Sequence, residues 1–332
     1  MSARPLSFSD GFRSDSSLPI DLLTLLRCPH CQASLKNGAS TEYECLACGR
    51  RYESPHGIPV FVEPENYADS FGFQWHRYDR TQLDHDNCHQ SEIQFRMKTG
   101  FTPEELRGEL VLDVGCGMGR FAEVATRWGA RVVGIDLSAA AEVAARNLAD
   151  RKNFVAIQAD VFALPFAPES FDYSYSIGVL HHTPNCEAAV KALPRYLKPG
   201  GSMAVWLYSA YNKWYRFSDI YRKVTSRMPA RVLHRCLSVA VPVIYTTDRI
   251  LRALPGIGRP VSAIGRNVFL VNRNPDPKKR LLDTFDWYSP KYQSKHTYEE
   301  VFRWFESCGL EDLHVVDVPV AVRGRKGPHR YG

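Results

Sequence analysis

Between Leu110 and Arg120 the chain reads Leu-Val-Leu-Asp-Val-Gly-Cys-Gly-Met-Gly-Arg, an apolar run followed by glycine at every second position. No other stretch restricts the fold so tightly. Leu110–Val114, with only Asp113 polar, has the near-continuous apolar character of a strand buried on both faces. Glycines at 115, 117 and 119 allow a tight turn and a close approach to a ligand, and Arg120–Arg127 opens an amphipathic helix. Strands and helices then alternate. Arg131–Ile135 ends on Asp136, Val155–Gln158 is followed by Asp160, and Phe171–Ile177 is a fourth strand. Leu197-Lys-Pro-Gly-Gly201 reads as a turn before a fifth, Ser202–Tyr208. This order predicts a doubly wound α/β fold with ligands at the carboxyl ends of a mostly parallel sheet.

A glycine turn between strand and helix could hold a dinucleotide pyrophosphate, as in a nicotinamide-dependent dehydrogenase with a variant loop. Three details point elsewhere. The spacing is G-x-G-x-G rather than G-x-G-x-x-G. Asp113, before the first glycine, suits an ammonium group better than a phosphate. Asp136 is positioned to accept from both hydroxyls of a ribose, and Asp160 from an exocyclic adenine amine.

Leu112-Asp-Val-Gly-Cys-Gly-Met-Gly119, Val133-Gly-Ile-Asp-Leu-Ser138, Asp160 with Pro165-Phe166, Phe171-Asp172 and Leu197-Lys-Pro-Gly-Gly201 together resemble the class I S-adenosylmethionine-dependent methyltransferases of type 11. The resemblance covers about Glu109–Trp206. It implies a seven-stranded sheet and S-adenosyl-L-methionine as cofactor. Asp113 with Gly115, Cys116, Gly117 and Gly119 would face the methionine end, Asp136 the ribose, and Asp160 with Val161 the adenine. Leu137 and Ile177 would be further cofactor contacts. By the same likeness, Gln74 and Trp75 in the aromatic stretch Phe71–Tyr78 would fold over the cofactor; plain packing is the alternative.

Cys28-Pro-His-Cys31 and Cys45-Leu-Ala-Cys48 form two C-x-x-C knuckles separated by about a dozen residues, a zinc-ribbon spacing. Four thiolates leave no open coordination position, so a structural Zn2+ is expected. The remaining cysteines (Cys88, Cys116, Cys186, Cys236, Cys308) read as small apolar residues. The segment from about Leu18 to Val62 resembles the small zinc-ribbon family that activates RNA and protein methyltransferases. It departs from that family at Glu53, where a proline is usual.

Within the resemblance, methyl transfer is an in-line displacement, and a base is needed only when the acceptor must lose a proton. His181 and His182, past the fourth strand, are the base candidates, with His181 favoured to reach the acceptor. Asp286, Trp287, Tyr288 and His296 form a second, substrate-contacting group, read as a loop ahead of the capping box Thr297-Tyr-Glu-Glu300. The bland alternative for all six is packing.

Charge is distributed unevenly. Between Trp206 and Arg280 there are fifteen Lys/Arg against three Asp/Glu, whereas the whole chain carries a net +6. This stretch is read as a lid or homodimer face, a peripheral membrane contact, or an RNA contact. The expected organisation is a disordered tail 1–17, a ribbon 18–62, capping helices 63–108, a cofactor core 109–210, a basic helical insert 211–280 and closing elements 281–332. Residues 313–322 are expected to supply the last strands, and Arg323-Gly-Arg-Lys-Gly a solvated basic end. With no apolar leader and no run of about 20 apolar residues, a cytoplasmic protein is expected. The expected function is methylation of oxygen or nitrogen on a small-molecule or lipid- or saccharide-linked acceptor. An RNA methyltransferase is the second reading and a non-catalytic scaffold the third.

Overall fold

Four cysteines at ribbon spacing require a hairpin between them, and the chain makes one. In the computed structural model, which describes residues 20–38, 41–63, 66–84, 89–211 and 216–328, strands β1 (Leu35–Asn37), β2 (Glu42–Cys45) and β3 (Arg51–Glu53) pair antiparallel in that order. The tail 1–17 and Cys88 lie outside the described residues. A one-turn helix, Leu22–Leu25, leads in, with the Asp21 carboxylate accepting the Leu23 N–H.

The larger sheet contains β4 (Leu110–Val114), β5 (Arg131–Asp136), β6 (Phe154–Gln158), β7 (Phe171–Ile177), β8 (Leu197–Trp206), β9 (Leu310–Val315) and β10 (Ala321–Lys326). Its order is β6-β5-β4-β7-β8-β10-β9, and only β10 runs antiparallel to its neighbours. This is the seven-stranded, mostly parallel sheet of the class I methyltransferase fold. The chain winds outward from β4 to β6, then returns to lay β7 against the other side of β4. The helices after β4 and β7 therefore leave in opposite directions, and a crevice opens at the carboxyl ends between them.

Alternation along β4 divides the core. Leu110, Leu112 and Val114 face the layer that contains Phe166, Phe171, Trp304 and Phe305. Val111 faces the other, with Phe95, Trp128 and Tyr175. Helices Gln90–Thr99, Arg120–Arg127 and Ala140–Asn147 cover the second face; Cys186–Ala192 and Tyr298–Ser307 cover the first. The Thr297–Glu300 capping box is formed as the sequence predicts.

Two expectations need correction. The Leu197–Gly201 turn lies inside β8: Phe171 pairs with Leu197 and Tyr173 with Ser202, so Lys198–Gly201 bulge out of the ladder. The closing strands also reach past the expected 313–322 at both ends, β9 beginning at Leu310 and β10 ending at Lys326. Arg323–Lys326 belong to β10, with Arg323 paired to Glu105 and donating to the Gly100 carbonyl at 3.0 Å. Their cations are tied into the sheet's rim rather than left as a solvated end.

The ribbon is attached to the sheet by backbone. Arg27 N–H donates to the Pro165 carbonyl and Ala167 N–H to Leu25, both at 2.9 Å. Phe61 N–H donates to Gln158, and Gln158 N–H to Pro59, so Pro59–Phe61 run as a parallel fringe along β6. Leu26 and Cys28 join the same apolar layer as Phe166.

Helices Arg216–Thr225, Ala230–Ala253, Gly258–Val268 and Pro277–Tyr288 follow β8. They form a separate small core around Leu233, Phe285 and Tyr288, against Phe73 of helix Asp69–Arg77. Among the described residues, no helix is long and apolar enough to cross a membrane.

Phe166 anchors the joint between ribbon and sheet. It is fully buried, with its ring edge-on to Phe171 at 5.1 Å and to Tyr196 at 6.4 Å. Phe166→Ala is expected to lower the unfolding free energy by about 3–5 kcal/mol in a denaturant titration. A loss below about 1 kcal/mol would contradict this packing.

Candidate active site

The turn after β4 is shaped by what lies above it. A Cβ on Gly115, whose φ is +83°, would come within 2.4 Å of the Val179 methyls. One on Gly117 would stand 3.1 Å from the Trp75 indole nitrogen. Glycine is required at both positions. Gly115 and Cys116 donate their N–H groups to the Ile135 carbonyl, which fixes the loop across the end of β5. Gly117 N–H donates to Asp136 Oδ2 at 3.0 Å, while Asp136 Oδ1 accepts from the Ser138 N–H and hydroxyl at 2.9 and 2.7 Å. Burial nevertheless raises the Asp136 pKa above its ordinary value.

The loop forms the floor of a cavity of about 230 Å³. Gly115, Cys116 and Gly117 line it, with Asp136 and Leu137 from the end of β5, Val161 past β6 and Ile177 at the end of β7. Gln74 and Trp75 close it from helix Asp69–Arg77, as the likeness implied they could. Asp113 lies behind the loop, on the Val111 face beside Tyr175, and its Oδ2 has no hydrogen-bond partner. Burial pushes its pKa up to about 8; the Tyr175 hydroxyl opposes that shift and Asp136 adds to it. A carboxylate enclosed in this way would ionise readily only beside a cation. Gly119 is the amino-terminal cap of helix Arg120–Arg127, outside the cavity wall. Asp160 is half-buried between the lining residues Ala159 and Val161, and its Oδ1 accepts the Phe162 N–H at 3.0 Å.

The two histidines diverge. His182 lines the cavity, and its Nδ1–H donates to the Tyr292 carbonyl at 3.0 Å. That leaves the Nε2 lone pair buried and without a partner. Burial lowers the His182 pKa, so the ring is held neutral. His181, the residue favoured from sequence, sits behind it with its ring stacked on Tyr208 at 3.8 Å, and its carbonyl accepts the Ser294 N–H. Of the two rings, it is His182 that lines the cavity.

The second predicted group separates as well. Asp286, Trp287 and Tyr288 are the last turn of helix Pro277–Tyr288, not a loop. Asp286 reaches the cavity and accepts from Tyr208 Oη at 3.0 Å and Gln74 Nε2 at 3.2 Å. Trp287 lines an adjoining polar recess. Tyr288 points into the small core, its hydroxyl donating to the Leu270 carbonyl at 3.1 Å. His296 is outside both cavities. Its backbone extends the β8 pairing through Tyr208 and Ala210, and its ring meets the Ser294 hydroxyl at 2.7 Å.

The adjoining recess, about 430 Å³, shares Lys98, Arg120, Trp206, Tyr208, Asp283 and Asp286 with the first cavity. Gln82 is shared as well, and beyond these the recess is walled by Gln90, Gln94, Asn272, Asn274 and Trp287. Sequence reasoning missed Lys98 and Asp283. The Lys98 ammonium lies 3.7 Å over the Trp206 ring, and burial pushes its pKa down to about 7. Burial, reinforced by Asp286, pushes Asp283 up to about 6. Neither residue has a local motif, because the recess is assembled from helices far apart in the chain.

The four ribbon cysteines converge. Their sulfurs lie within 4.8 Å of one another, with Cys31–Cys45 at 3.4 Å and Cys28–Cys48 at 3.7 Å. A tetrahedral Zn–S4 site would space them at about 3.8 Å.

Residues 112–205 match the family described as "Methyltransferase domain". Sterol 24-C-methyltransferase ERG6 of Saccharomyces cerevisiae is 31% identical over 159 residues, covering 46% of this chain and 39% of that protein. The probable tRNA methyltransferase 9B of Homo sapiens is 33% identical over 125 residues, covering 36% of this chain and 26% of that one. The chain thus spans well under half the length of these relatives. A solved S-adenosylmethionine-dependent methyltransferase from Mesorhizobium loti aligns with a TM-score of 0.42 at 18% identity, over 72% of this chain and 99% of that one.

Because the folded chain keeps a proton on Asp113 that the unfolded chain releases from about pH 4 upward, its contribution to stability is complete below that pH and is lost as pH rises through about 8. Without cofactor, Asp113→Asn should therefore gain stability relative to the wild type between about pH 5 and 8, followed by melting temperature. A difference that stays constant across this range would refute a raised Asp113.

Proposed function

We propose that this chain is an S-adenosyl-L-methionine-dependent methyltransferase acting on oxygen or nitrogen of a polar acceptor, either a small molecule or the head of a lipid- or saccharide-linked one. The carrying observation is the pair of joined cavities. One has an unsatisfied buried carboxylate, Asp113, behind a glycine loop and Asp136 at its wall; the other is lined with amides and carboxylates. When bound, S-adenosyl-L-methionine supplies a methyl group on a positively charged sulfur.

The residues of this chain do the rest. Asp113 would hold the ammonium end, Asp136 the ribose hydroxyls, and Trp75 with Gln74 would close over both. His182, neutral and with a free Nε2 lone pair, is the group best placed to take a proton from an acceptor hydroxyl. Asp286, held by Tyr208 and Gln74, would orient that hydroxyl. The recess favours a hydroxylated acceptor over an apolar ring system such as a sterol, because each half-buried amide or carboxylate that an apolar ligand covered and left unpaired would cost about 1–3 kcal/mol.

Isothermal calorimetry, with transfer of labelled methyl into fractionated cell extract, tests this reading. Asp136→Ala should weaken cofactor binding about 100-fold, which is on the order of 3 kcal/mol. His182→Ala should keep the affinity and lower turnover about 100- to 1,000-fold. A wild-type chain that does not bind the cofactor would overturn the proposal.

For the ribbon we propose one structural zinc on Cys28, Cys31, Cys45 and Cys48, supported by the sulfur spacing. Metal analysis should find about one zinc per chain, and Cys45→Ser should lose it and expose the first sixty or so residues to protease. Unchanged protection in the metal-free variant would refute a structural role.

A further inference from the structure

Eleven of the sixteen exposed large apolar side chains among the described residues lie between Ile220 and Phe269, within the basic insert. Their spacing is regular. On helix Ala230–Ala253 and its cap they are Val232, Val239, Val243, Ile250 and Leu254. At about 100° per residue these five fall within about 60° of one another, a single stripe along a helix about 36 Å long. The inward side of the same helix is already satisfied: Leu233 packs with Phe285, and His234 accepts from Tyr78 Oη at 2.8 Å. A helix of a globular insert needs one apolar side, and this one has two. Ile257, Val261 and Ile264, spaced four and three apart, repeat the pattern next to helix Gly258–Val268, and Ile257 is 80% exposed.

The charges flanking the stripe identify its counterpart. Arg231, Arg235 and Arg249, about 70–110° from the centre of the stripe and all on one side of it, are exposed and have no acidic partner among the described residues. Asp248, one of the three acids between Trp206 and Arg280, is buried and already held by Arg273 and Arg266. A second copy of the chain would bring the same unpaired arginines against one another. Nucleic acid would satisfy the arginines and leave the valines and isoleucines in water. An anionic bilayer satisfies both, because phosphates meet the arginines while the apolar stripe enters the boundary between headgroups and acyl chains.

We propose that the outer face of helices Ala230–Ala253 and Gly258–Val268 docks this protein on the surface of an anionic phospholipid bilayer, lying on it without crossing it. This goes beyond the methyltransferase reading and does not depend on it.

Sedimentation of the full chain with phosphatidylcholine vesicles, with and without about 30% phosphatidylglycerol, tests the proposal. The wild type should bind the anionic vesicles, more weakly as salt rises, and the neutral ones at least about tenfold less. The double variant Val239→Asp/Ile250→Asp changes two exposed positions remote from the cavities. It should keep its melting temperature and lose at least about tenfold in vesicle affinity. Arg235→Gln/Arg249→Gln, which leaves the apolar stripe intact, should weaken anionic binding alone. Three results would overturn the proposal: no vesicle binding by the wild type at low salt, binding unchanged by the aspartates, or a dimer in sedimentation equilibrium that the aspartates dissolve. Salt-sensitive binding of RNA without binding of vesicles would likewise transfer this face to nucleic acid.

Discussion

Strand β4 is buried on both faces, and the position of every polar group in the cavity follows from that enclosure. A strand walled by Leu112 and Val114 on one side and Val111 on the other leaves its backbone groups to its neighbours β5 and β7. Only past its carboxyl end can N–H groups and carboxylates face a ligand. Asp113 is the exception that marks the site. It stands one residue inside the enclosed part of the strand, where desolvation works against its charge. Asp136, one strand over, is half-buried at the cavity wall, and three donors compensate it. The two carboxylates thus differ in what they lack. Asp136 has its partners, and Asp113 awaits one.

The recess beside this pocket follows the same physics with opposite charges brought together. Burial drives Lys98 and Asp283 toward their neutral forms, while Asp283 favours the charged form of Lys98. Both signs of charge therefore meet in the recess, Lys98 and Arg120 opposite Asp283 and Asp286. That suits an acceptor carrying hydroxyls, which asks for donors and acceptors rather than a full countercharge. Trp206 and Trp287 supply flat apolar walls between the polar groups, so that the carbon skeleton of such an acceptor would also be covered.

The sequence was most readable where the chemistry is local. The glycine turn, the strands that carry Asp113 and Asp136, the cysteine knuckles and the capping box at Thr297 are each made by a few consecutive residues, and the chain folds each where its local pattern puts it. Failures came where a local signal has two outcomes. Pro199-Gly-Gly201 reads as a turn and is a bulge, because the ladder resumes at Ser202. Asp286 and Tyr288 are neighbours on one helix, yet one faces the cavity and the other the small core; the choice depends on which side Leu233 and Phe73 cover. Adjacent histidines pose the same ambiguity, resolved by the Tyr292 carbonyl, which reaches His182 from 110 positions away. Lys98 could not have been found at all, since a lysine in a helix of otherwise ordinary composition signals nothing until Trp206 is laid across it.

The insert draws these elements together. Asp283 and Asp286 stand on a helix that belongs to the small core of Leu233, Phe285 and Tyr288, and that core is completed by helix Ala230–Ala253. The helix that offers its outer stripe to solvent is therefore the one whose inner side holds the acceptor wall in place. His234 strengthens the connection, because its Nε2 accepts from Tyr78 at the end of the helix that carries Gln74 and Trp75. A force on the outer face, such as insertion into a bilayer surface, would be transmitted through rigid packed side chains to both walls of the joined cavities.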